Sequence, residues 1–107
     1  MKKMIVLLLL FSTSAFAAEW YEEGSLHDKR VNEWKQATYA NRLATSADFV
    51  AYIFGEERVG RMGSMDALKP YVVQMMTCID EGTKGDNIPN MQVSEVAASC
   101  TVIMGWR

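Results

Sequence analysis

A basic and then apolar amino end decides how much of this chain of 107 residues is left to fold. Lys2 and Lys3, the apolar run Met4 to Phe11, the small polar stretch Ser12-Thr13-Ser14 and then Ala15-Phe16-Ala17 follow one another in the order of a secretory leader and its cleavage site. The apolar run is about half the roughly 20 residues that a helix needs to cross a bilayer. The sequence therefore predicts cleavage after Ala17 and no retained membrane anchor. No cysteine lies beside the cut to carry a lipid. With residues 1–17 removed, 90 of the 107 remain, enough for a single domain with a modest core and too few for two. The compartment so predicted is the periplasm, with full secretion as the alternative.

Charge and cysteine usage narrow the partners. Lys2 and Lys3 leave with the leader, so nine of the eleven basic residues face all thirteen acidic ones and the mature net charge is −4. Such a balance argues against nucleic acid and anionic membrane as partners. Both cysteines, Cys78 and Cys100, belong to the exported part. An even count in an oxidising compartment predicts one intramolecular disulfide. It would enclose 21 residues and, in the chain-entropy account, stabilise the fold by about 3 kcal/mol.

Periodicity predicts an all-helical domain, a bundle of three or four helices. Residues 18–24 hold Trp20, Tyr21 and three glutamates without any period, and are expected as a flexible lead-in or a strap whose aromatics dock on the core. The folded domain then spans 25–107. Ser25 with Asp28 suggests a first helix start. Ala37, Ala40, Ala44, Ala47, Ala51 and Phe54 recur at intervals of three and four, a small-residue stripe widened by Leu43, Val50 and Ile53 that lets a neighbouring helix approach closely. Thr45 with Asp48 predicts a break in this segment, giving two helices. Gly55 to Gly63, charged and glycine-rich, reads as a loop. Ser64 or Asp66 opens a helix carrying Leu68, Tyr71, Val72, Met75, Met76 and Ile79, which Gly82 ends. Pro70 favours a start at Asp66 or later. After the turn residues Gly85, Asp86, Asn87 and Pro89, a last helix begins between Asn90 and Ser94, with Val93, Val96, Ala97, Cys100, Ile103 and Met104 on its apolar face and Gly105 at its end. Both cysteines fall on inward faces of neighbouring antiparallel helices.

No group of residues reads as catalytic. His27 is the single histidine and lacks a second ligand or a nucleophile, so it is expected as a surface or helix-start residue. Glu22-Glu23, Glu56-Glu57 and Asp80-Glu81 are sequence neighbours, which do not face each other on a helix, and read as solvated surface. Asp80, Glu81 and Asp86 do not have calcium-loop spacing. Met62, Met65, Met75, Met76, Met91 and Met104 raise soft copper as an alternative, but their scatter over core stripes and loop ends fits core filling. No cofactor or metal site is predicted, and no enzyme.

What remains is binding. In size, leader and helix count the chain is similar to immunity proteins that neutralise secreted peptidoglycan amidases and to small periplasmic acid-stress chaperones, a likeness of architecture alone. The first likeness implies a rigid inhibitor-like module for one envelope protein. The second implies a fold that loosens in acid and exposes apolar surface to many clients. The first is the expected function, with Trp20, Tyr21, Glu56, Glu57 and Trp106 as candidate interface residues, since aromatic side chains supply contact area and acids steer a cationic partner.

Overall fold

The computed structural model describes residues 18–106, so the expected leader at 1–17 lies outside the described residues. Those residues form five helices and no strand: α1 Val31–Gln36, α2 Tyr39–Phe54, α3 Glu56–Met62, α4 Met65–Thr83 and α5 Val93–Met104. The all-helical expectation holds, and the count of three or four becomes five. One extra helix is α3, where a loop was expected. Glu56 and Glu57 occupy its first turn and Arg61 its last, which complements the helix dipole, while the positive φ of Gly55 and Gly63 separates it from α2 and α4. The segment expected as two helices is α1 and α2, divided at Ala37 and Thr38 instead of at Thr45. Thr38 caps α2 by accepting from the Asn41 N–H at 3.1 Å.

α4 is the centre, and the other four helices all pack on it. Its buried residues Leu68, Val72, Met75, Met76, Ile79 and Thr83 keep the helical stripe that the sequence shows. It runs one residue beyond Gly82, and Thr83 closes it by donating from Oγ1 to the Ile79 carbonyl at 2.8 Å. Ser64 is its N-cap and Pro70 lies inside it, in the second turn. Trp34 of α1 is buried against α4, where its Nε1 donates to Asp80 at 2.8 Å. Arg42 of α2 donates to both oxygens of the same carboxylate at 2.9 Å. One acid thus ties α1, α2 and α4 together. Cys78 of α4 and Cys100 of α5 form the expected disulfide, with Cα atoms 6.0 Å apart.

Residues 18–30 cross the outside of this assembly as a strap, and no helix starts at Ser25. Trp20 lies at the start of α4, donating from Nε1 to Asp66 at 2.7 Å with the Lys69 ammonium 4.9 Å from its ring centre. Ser25 exchanges two hydrogen bonds with Asn41 of α2, and the Leu26 N–H donates to Thr45 Oγ1. The strap ends at α5: the Val93 N–H donates to the Lys29 carbonyl, the Val31 N–H to the Met91 carbonyl, and Arg30 and Gln92 form a single antiparallel bridge.

Candidate functional site

α2 and α5 both lie on α4 and touch each other little. Their amino ends are joined by the strap and their carboxyl ends by Trp106. The Gly105 N–H donates to Val102 and the Trp106 N–H to Thr101, a left-handed glycine stop that turns the chain back. Trp106 thereby meets Phe54 and Tyr71 edge-on at 5.5 and 5.9 Å. Between these two closures the valley is open. It is a groove of about 670 Å³ lined almost wholly by apolar atoms.

Its walls are two helical stripes. Asp48, Phe49, Tyr52 and Ile53 come from α2, and Ser94, Ala97, Ala98, Thr101 and Val102 from α5. The α2 wall is aromatic and the α5 wall is small. Tyr52 is 89% exposed and Val102 70%, two of the most exposed large hydrophobic residues among those described. The core beneath is closed, with Val50, Leu68, Val72 and Met75 at 0%, while Ile103, Tyr39 and Val73 are exposed outside the groove. A pair of uncovered apolar side chains on the two rims of one groove marks a surface that another apolar body can cover.

The end of the groove next to the strap is polar. His27, supplied by the strap, makes a 2.6 Å contact between Nε2 and Asp48 Oδ2 and stands edge-on to Phe49 at 5.7 Å. Both side chains are close to half exposed. Asp48 Oδ1 has no hydrogen-bond partner among the described residues. No lysine or arginine lines the groove. At the amino end of α5 the Val93 N–H donates to the Lys29 carbonyl and the Glu95 N–H to the Gln92 carbonyl, and the Glu95 carboxylate accepts from the Gln92 N–H at 3.2 Å.

The residues singled out in the sequence fall elsewhere. Trp20 and Tyr21 are half-buried in the strap and pack against the core, as does Trp106. Glu56 and Glu57 are exposed on α3, and Arg58 from the same turn lies 3.8 Å over the Phe54 ring. His27, expected as a surface or helix-start residue, is half-exposed in the strap and shares the groove with Asp48. Sequence reasoning missed this pair because its members are 21 positions apart on different segments. The signal it passed over was Phe49 and Tyr52, large aromatic residues beside Ile53 at the edge of the alanine stripe.

Among the described residues, no three His, Cys, Asp or Glu side chains come together as a metal site. No helix among them is long and apolar enough to cross a membrane. The disulfide fits an oxidising, non-cytoplasmic environment. Comparison with family models, with curated proteins and with solved structures finds no match for this chain.

Proposed function

We propose that the protein is an exported, non-catalytic binding module of the cell envelope, cleaved after Ala17, which acts on another envelope protein through the α2–α5 groove. The observation that carries this reading is the apolar groove itself, with Tyr52 and Val102 exposed on opposite rims. Two parallel helical walls and an open trough suit the mode in which a helix lays its apolar face into a groove. The disulfide and the strap hold both walls to α4, which keeps the groove formed before its partner arrives and lowers the ordering cost of binding. An inhibitor or immunity-like role follows from a preformed face, and a chaperone role would instead need the fold to open.

The test places a long charged side chain in the groove. Ala98 is exposed on the α5 wall, so Ala98→Arg should fold with an unchanged melting temperature and lose partner capture from envelope extracts by at least about tenfold. Glu57→Lys on α3 is the matched control and should retain capture. Capture that survives Ala98→Arg and is lost with Glu57→Lys would move the interface to the acidic turn of α3. Intact mass of the exported protein tests the leader, and a mass that includes residues 1–17 contradicts cleavage.

A further inference from the structure

We infer that the occupant of the groove is a short amphipathic helix of the partner, whose apolar side chains lie between Tyr52 and Val102 and whose lysine or arginine, at the end nearest the strap, pairs with Asp48. This inference rests on the groove being the contact face and adds the chemistry of what it accepts. The α5 wall runs from Ser94 to Val102, a rise of about 12 Å at about 1.5 Å per residue, which matches roughly two turns of an incoming helix. Small residues on that wall let a backbone come close, and Phe49, Tyr52 and Ile53 opposite provide the side-chain contact.

Charge selects the cation. The titratable groups lining the groove are His27, Asp48 and the Tyr52 phenol, with no basic side chain among them other than His27. His27 engages Oδ2 of Asp48, which leaves Oδ1 to accept from an ammonium or guanidinium group. A carboxylate on the incoming helix would meet Asp48 with no lysine or arginine lining the groove to offset it, and the first turn of α5 carries the Glu95 carboxylate. The mature net charge of −4 favours the same sign of partner at long range.

The experiment uses the mature, oxidised protein and acetylated, amidated helical peptides of about 20 residues, beyond the roughly 12–15 at which an isolated helix is marginal in water. They share a leucine stripe in an alanine-glutamine host and differ at one end position, which is Lys, Gln or Glu. Binding is read by amide chemical shifts and titration. The Lys peptide should shift the amides of Tyr52, Ala98 and Val102 and bind roughly threefold to tenfold tighter than the Glu peptide, the size expected of a half-exposed ion pair gained against a like-charge contact. Asp48→Asn should abolish the discrimination while the leucine stripe still binds. His27→Gln should keep it. Equal affinity of all three peptides at the groove overturns the cation assignment and leaves the groove as the contact face. Absence of groove shifts with any peptide overturns both. If dodecylammonium binds with Asp48 dependence and the Lys peptide does not, the occupant is a free cationic amphiphile and the helix assignment fails.

Discussion

Gly24 shows how closely one residue can be bound to its neighbours. A Cβ there would stand 2.5 Å from the Thr45 nitrogen and 2.7 Å from its Cα, both backbone atoms in the middle of α2. The alanine stripe was expected to admit a neighbouring helix, and at Ala44 the backbone that comes close is that of the strap instead. Gly24→Ala should destabilise the protein by about 1–3 kcal/mol, the usual range for forced overpacking, and the loss should appear as a lower denaturation midpoint with faster hydrogen exchange at Leu26. An unchanged midpoint would mean that the strap is not seated on α2. Asp80 is bound by chemistry instead of by space. It accepts from buried Trp34 and from Arg42, so Asp80→Ala leaves an indole N–H and a guanidinium without their partner and should cost about 1–3 kcal/mol. Trp106→Ala should cost about 2 kcal/mol through lost contact with Phe54 and Tyr71. The aromatic residues that read in the sequence as contact area for a partner are here also contacts of the fold.

Elements differ in how firmly they are held. α4 contributes six buried residues and α3 none, so amides of α3 should exchange faster than those of central α4 by about two orders of magnitude. Equal protection in the two helices would contradict the packing. The disulfide fixes α5 to α4, and reduction should lower stability by about 3 kcal/mol and free α5 first, seen as a melting temperature that falls with reductant. α4, α5 and their disulfide were legible because apolar period, Ser64, Gly105 and the phase of Cys78 and Cys100 agree, except that Ile103, expected on the apolar face of α5, is 76% exposed. The break at Thr45 was misread for a physical reason. A threonine followed by an acid three residues on is a cap only at a helix start, and here Thr45 Oγ1 donates to Asn41 and accepts from Leu26, so the side chain serves the strap from mid-helix. α3 was misread because glycine punctuation outweighed Val59 and Met62, which are half-buried against the core. The groove itself was not legible, since it depends on how far apart α2 and α5 sit on α4, a distance that no local pattern encodes.

At the scale of the whole molecule, a strap, a disulfide and an aromatic clasp all serve one arrangement: two helices held on a third with an apolar trough open between them. The excess of acidic over basic residues and the lone acid at the trough's end give that arrangement a sign. The central claim is that this trough, and not the acidic turn of α3 or the strap aromatics, meets the partner. Its most direct test is a photo-cross-linking scan in living cells, with the reactive side chain placed in turn at Tyr52, Ala98 and Val102 on the trough and at Glu57, Glu81 and Glu22 away from it. The account predicts one discrete adduct of a single size from all three trough positions and none from the others. Adducts from Glu57 or Glu22 with silence at Tyr52, Ala98 and Val102 would contradict it.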